Sequence, residues 1–168
     1  MRMPGWHDIV SLLPLGPAPM APTCTLTNAC KFRASLPQAS LTKLSDGEDE
    51  AGIKRSRDYF HKLIQAEVDK GIPPERIMLG GFSQGGAMSI YAGLSCPHKL
   101  GGIFALSAYL VLRDSANQDF VAAGDKNKTT KIFMGHGDAD TVVQYKYGVL
   151  TSQVLQSWGY DVDFKTYP

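Results

Sequence analysis

The chain has 168 residues, of which 43% are hydrophobic and 20% charged, values typical of one ordinary globular domain. Its formal net charge of +1 gives no electrostatic reason to expect a nucleic acid or an anionic membrane as partner. No apolar run approaches the roughly 18 residues of a membrane span, and Met1 to Asp8 lack the apolar core of a signal peptide. We therefore predict a single domain over residues 1–168, without stable membrane insertion; the composition leaves its oligomeric state open.

The cysteines indicate a reduced compartment. Cys24, Cys30 and Cys96 are odd in number and irregularly spaced, with no C-x-x-C pair. His98 lies near Cys96 but lacks further ligands, so we predict no zinc site. The expected location is the cytoplasm, with the nucleus as a second compatible compartment.

Prolines dominate the first part of the chain. Residues 11–47 contain Pro14, Pro17, Pro19, Pro22 and Pro37 among serines and threonines. Proline removes a backbone donor and is poorly tolerated in helix interiors and central strands. We predict a long loop or disordered insertion over 11–47, which leaves residues 48–168 as the folded core.

The pattern after residue 48 alternates between strands and helices. Ile53, Phe60, Ile64 and Val68 recur at helical spacing, with Asp46 or Asp49 as candidate caps, and this helix should end near Gly71. Strands are predicted at 76–82, 102–107, 131–134 and 162–167, and helices at 84–94 and 143–158. Such alternation predicts an α/β fold, with a mostly parallel sheet flanked by helices.

The strongest local motif is Gly81-Phe82-Ser83-Gln84-Gly85, a match to G-x-S-x-G. Between an apolar strand and a small-residue helix, this motif marks a sharp turn that exposes a nucleophilic serine, with glycines relieving the crowding. The backbone N–H of Gln84 would then lie where an oxyanion forms. A chance pentapeptide is the alternative, and the flanking strand and helix argue against it.

A nucleophilic serine needs a base and an acid that orients the base. The third predicted strand is followed by Gly135-His136-Gly137-Asp138-Ala139-Asp140, so Asp138 or Asp140 could be the acid; a solvated turn is the alternative. The base should follow the strand at 162–167, where the sequence contains no histidine. The four histidines present, His7, His61, His98 and His136, read as structural or exposed. His136 is expected to order the acidic turn, and its use as the base is the alternative.

At these residues the sequence resembles the acyl-protein thioesterase and carboxylesterase family of small α/β-hydrolases. The resemblance covers Met3 to Ile9 and nearly everything from Glu48 onward, most specifically Gly71 to Ala87, His136 to Asp140 and the terminal Phe164-Lys-Thr-Tyr-Pro. It implies an α/β-hydrolase fold. It also implies hydrolysis of fatty-acyl thioesters on protein cysteines, or of lysophospholipid-like carboxylic esters, without metal or cofactor.

Carried over by position, the resemblance implies Ser83 as nucleophile, Gln84 as oxyanion donor and Asp140 as the triad acid. It also implies departures from the family pattern. Several N-terminal strands are expected to be missing, the block at 11–47 replaces a short loop, and the family's histidine falls beyond Pro168. The expectation is a truncated or mis-assembled family member, and the alternative function is a non-catalytic chain that binds acyl groups or a partner protein.

Overall fold

The computed structural model describes the backbone of residues 10–14 and the whole of residues 48–168. The strands and α-helices are, in chain order, β1 (Val10–Pro14), α1 (Glu50–Asp69), β2 (Ile77–Phe82), α2 (Gln84–Leu94), β3 (Gly102–Leu106), α3 (Arg113–Ala122), β4 (Ile132–Gly137), α4 (Tyr145–Ser157) and β5 (Val162–Tyr167). A short 3₁₀ helix, Pro74–Arg76, precedes β2. None of the helices in these ranges is long and apolar enough to cross a membrane.

The strands form one sheet in the order β1-β2-β3-β4-β5. Strands β2 to β5 run parallel, and β1 pairs antiparallel with β2. The predicted α/β architecture with a mostly parallel sheet is therefore confirmed. Because the four parallel strands point the same way, their carboxyl ends meet at one edge of the sheet, where folds of this kind collect their ligands.

The first strand differs from the sequence-based expectation. Ser11 to Pro14 were predicted to belong to a loop, and this part of the prediction is wrong, since they pair with β2 from Gly80 to Ile77. An edge strand tolerates proline because one side of its backbone needs no donor, and Pro14 is the last residue of the strand. The remainder of the predicted loop, residues 15–47, lies outside the described residues, as do residues 1–9.

The α-helices follow the predicted pattern with one addition. Asp49 caps α1, and its Oδ1 accepts a hydrogen bond from the Gly52 N–H at 2.8 Å, which decides between the two candidate caps. The unpredicted helix is α3, in which only Ala116 and Phe120 are buried. Two buried positions make too weak an apolar stripe to be recognised by periodicity.

Two of the helices demonstrably cover the same face of the sheet. Leu79 of β2 and Ile103 of β3 are register partners, and both lie against Gly93 of α2. His136 of β4 lies on this face as well, and it packs against Gly148 of α4. Right-handed crossovers between neighbouring parallel strands produce this arrangement. The hydrophobic core lies between these helices and the sheet.

Candidate active site

Ser83 occupies a sharp turn between the last residue of β2 and the first residue of α2. Its backbone has φ 55° and ψ −124°, a conformation that costs a non-glycine residue about 1–3 kcal/mol. Two hydrogen bonds hold it: the Ser83 N–H donates to the Leu106 carbonyl at 2.8 Å, and the Ala87 N–H donates to the Ser83 carbonyl at 3.0 Å. The serine is thus fixed in a strained turn at the carboxyl edge, as the motif predicts.

The first turn of α2 supplies free backbone donors beside Ser83. Gln84 is the first residue of the helix, so its N–H has no acceptor within the helix. The N-terminus of a helix also carries a partial positive charge. Within the described residues the Ser83 side chain does not cap the helix. This geometry supports Gln84 as an oxyanion donor, which stays a prediction.

A third glycine permits the tight turn. The motif predicts close approach at Gly81 and Gly85, but Gly86 is the glycine of α2 that lies against the backbone of β2 and β3. A Cβ on Gly86 would lie 2.8 Å from the Ala108 Cβ, 2.9 Å from the Gly81 carbonyl oxygen and 3.3 Å from the Leu106 N. Gly86 could have been singled out as the glycine that follows the motif.

The two candidate acids follow β4 in different environments. Asp138 is exposed, whereas Asp140 is half-buried. The Asp140 Oδ1 accepts hydrogen bonds from the N–H groups of Val142 at 2.9 Å and Val143 at 3.0 Å. Its carboxylate is therefore held in one orientation by the backbone, while no comparable restraint on the Asp138 carboxylate is seen in the described residues. The geometry favours Asp140, and its catalytic role stays a prediction.

Ser83 and the acidic turn lie at the same edge of the sheet, with one strand between them. Ser83 follows β2 and Asp140 follows β4, while β3 separates the two. Two strand spacings put them about 10 Å apart. An imidazole hydrogen-bonded to both groups would fill a gap of this size, which is the geometry of a serine triad.

None of the histidines in residues 48–168 fills that gap. Each has its Nε2 within hydrogen-bond distance of another group: His61 at 2.8 Å from the Ala92 carbonyl, His98 at 2.7 Å from the Gln65 Oε1, and His136 at 2.8 Å from the Val143 carbonyl. Burial lowers the pKa of His61, which favours its neutral form. These contacts agree with the structural roles that the sequence analysis gave to the three, and His7 lies outside the described residues.

Comparison with known proteins gives consistent matches. The family model described as Phospholipase/Carboxylesterase matches residues 37–168. Acyl-protein thioesterase 1 of Neurospora crassa is 45% identical over 168 residues, with 100% of this chain and 58% of the relative covered. Acyl-protein thioesterase 1 of Mycosarcoma maydis is 38% identical, with 98% and 76% covered. The chain spans 58–60% of the length of the first three curated relatives that it matches.

Solved structures agree with the fold. Arabidopsis thaliana SOBER1 superimposes with a TM-score of 0.68 at 30% identity, covering 75% of this chain and 59% of that one. Zea mays acyl-protein thioesterase 2 gives a TM-score of 0.58 at 28% identity, with 70% and 55% covered. The fold, the serine turn and these matches lead to one conclusion: the chain belongs to the phospholipase/carboxylesterase family of α/β-hydrolases.

Proposed function

We propose that this chain is a serine hydrolase of the acyl-protein thioesterase type. The observation that carries the proposal is the Ser83 turn, which combines a strained nucleophile position with the N-terminus of α2. The relatives named acyl-protein thioesterase 1 support this choice of reaction. The substrates would be fatty-acyl thioesters on protein cysteines, or small lysophospholipid-like esters, in a cytoplasmic setting and in the context of lipid and fatty-acid metabolism.

The reaction would run in two acyl transfers. Ser83 Oγ loses its proton to a base and bonds to the carbonyl carbon of the acyl group, while the N–H of Gln84 stabilises the oxyanion. The thiol or alcohol then leaves with a proton, and water releases the fatty acid from Ser83. Asp140 would orient the imidazole that serves as base and stabilise its charged form.

Exposed apolar side chains at the Ser83 end of the sheet support an acyl substrate. Phe82, Leu106 and Tyr167 end three parallel strands at the Ser83 edge, with exposed fractions of 48%, 37% and 51%. Val142, in the turn after Asp140, is 71% exposed. Covering such side chains with a fatty chain removes apolar surface from water and stabilises the complex.

A fluorophosphonate probe tests the nucleophile directly. We expect the wild-type chain to be labelled at one site and Ser83→Ala to lose all labelling. Ser107→Ala is the matched control, because Ser107 also directly follows a strand at this edge and has a positive φ of 47°. Labelling that survives Ser83→Ala, or that depends on Ser107, would refute Ser83 as the nucleophile.

A second candidate is a non-catalytic family member that binds acyl groups or a partner protein. It is favoured by the observation that the three histidines of residues 48–168 are engaged away from Ser83. Loss of one triad member costs about four to six orders of magnitude in rate. A folded wild-type chain that resists the probe would support this candidate. Labelling that appears only when the C-terminal region of a full-length relative is joined after Pro168 would show that residues 1–168 depend on a base from outside them.

A further inference from the structure

The imidazole of His136 lies beneath the turn that carries Asp140. His136 is in β4, and its side chain is fully buried, with an exposed fraction of 0%. Its Nε2 lies 2.8 Å from the carbonyl oxygen of Val143, seven residues further along the chain. Because a carbonyl only accepts hydrogen bonds, Nε2 must carry the proton. The imidazole therefore ties the end of the turn to the sheet.

The same residue, Val143, is also hydrogen-bonded to the Asp140 carboxylate. The Val143 carbonyl accepts from His136, while its N–H donates to the Asp140 Oδ1 at 3.0 Å. The Asp140 Oδ2 lies 3.7 Å from the His136 Nε2. This distance is too long for a hydrogen bond, and the N–H is already directed to Val143. The imidazole thus acts on the carboxylate through the backbone of Val143.

The second ring nitrogen, Nδ1, indicates that position 136 needs a histidine for its Nε2 donor. The His136 Nδ1 is buried and has no hydrogen-bond partner among the described residues. An unsatisfied buried polar atom costs about 1–3 kcal/mol. Leucine would fill most of this space without that cost, but it would leave the Val143 carbonyl without its donor.

Helix α4 fixes the orientation of the ring. Nδ1 faces Gly148, where an added Cβ would collide with Nδ1 and would lie 3.0 Å from both Cε1 and Cγ of the imidazole. The Tyr145 ring stands at 79° to the imidazole, with centroids 6.0 Å apart. The glycine in α4 is therefore what allows the imidazole to lie against the helix and point its Nε2 at Val143.

We propose that His136 is the positioning residue for Asp140, holding the carboxylate toward the catalytic edge through Val143. The proposal rests on the proposed function, because only a catalytic Asp140 makes this orientation matter for the reaction. It assigns His136 a role distinct from that of the base, since its proton-bearing nitrogen is committed to the turn.

Two substitutions separate the donor from the bulk of the ring. In His136→Gln the side-chain amide can replace the Nε2 donor, whereas His136→Leu fills the space without a donor. We expect His136→Leu to lower the rate of Ser83 labelling by the probe about 100-fold, since a misplacement of 1 Å costs about that much. His136→Gln should restore the rate to within about fivefold, a rescue that packing alone would not produce.

The Val142 and Val143 amides provide a readout that does not depend on activity. Their resonances report the hydrogen bonds to the Asp140 Oδ1, and we expect them to shift and exchange faster in His136→Leu but not in His136→Gln. If these amides change as expected while the wild-type chain resists the probe, the proposed function fails and the positioning stands. Unchanged amides or wild-type labelling in His136→Leu would overturn the positioning proposal.

Gly148→Ala reaches the same contact from the helix. Its methyl group should displace the imidazole from Val143 and reduce labelling although the histidine is intact. This variant decides the matter if His136→Leu does not fold. Wild-type labelling and wild-type Val143 exchange in Gly148→Ala would also overturn the proposal.

Discussion

Substituting alanine for Gly86 should weaken both the fold and the serine turn. The added methyl carbon would lie 2.8 Å from the Ala108 Cβ and 2.9 Å from the Gly81 carbonyl oxygen. Carbon atoms pack best at about 3.5–4.0 Å, so α2 would have to withdraw by about 0.7 Å. The Leu106 N would lie 3.3 Å away. None of these three neighbours can rotate away, because two are backbone atoms and the third is the Cβ of an alanine.

The magnitude follows from two opposing effects. Overpacking a close contact costs about 1–3 kcal/mol, while alanine gains about 1 kcal/mol over glycine in a helix. Gly93→Ala is the matched control in the same helix, because its methyl group would meet mainly the Ile103 side chain, with Cδ1 at 2.6 Å. A side chain can shift at a cost of about 0.5–1.5 kcal/mol, which offsets the helical gain.

Urea denaturation measures the stability change and the probe measures the site. We expect Gly86→Ala to lose about 1 kcal/mol of unfolding free energy more than Gly93→Ala. Withdrawal of α2 also moves Ser83 and Gln84, so labelling of Ser83 in Gly86→Ala should fall about 10- to 100-fold. Equal stability of the two variants together with wild-type labelling would refute the claim that Gly86 sets the approach of α2.

Two further predictions concern Asn127 and His61, which lie outside the candidate active site. Asn127 is fully buried, and its side chain accepts a hydrogen bond from the Leu100 N–H at 2.8 Å. Asn127→Ala should therefore lower the unfolding free energy measured by urea denaturation by about 3 kcal/mol. Asn117→Ala, at a half-buried position, is the control, and a loss no larger than that of the control would contradict this prediction. Burial lowers the pKa of His61 below its ordinary 6.5. Neutral, buried His61 therefore contributes folding stability that is fully present above pH 6.5 and is lost as the pH falls toward the folded-state pKa. His61→Gln should remove this part of the pH dependence, and an unchanged pH profile would count against it.

Local patterns predicted the elements around Ser83 well. The helix over 84–94 and the strand over 162–167 were predicted with the boundaries that the structure has. The motif around Ser83 predicted the strained turn, because the glycines that mark a nucleophilic serine are the residues that such a sharp backbone turn requires. These features depend on neighbours within a few residues, which a sequence displays directly.

Features that depend on contacts between elements could not be predicted in the same way. The closeness of Gly86 to Ala108 and of Gly148 to His136 arises only when helices pack on the sheet. The strand at Ser11 to Pro14 was missed because proline density outweighed a short apolar run. The ordering of the acidic turn by His136 was predicted, but its route through the Val143 backbone was not, because backbone bonds leave no trace in the identity of that residue.

The strained backbone of Ser83 lowers the stability of the chain at the residue that the proposed hydrolysis requires. Glycine would adopt a φ of 55° without penalty. Ser83 is held at this φ by its hydrogen bonds to Leu106 and Ala87. Selection for heat resistance alone would therefore favour glycine at position 83 and remove the proposed nucleophile. The persistence of serine at this position would then be a sign that a chain has been selected for reactivity rather than for robustness.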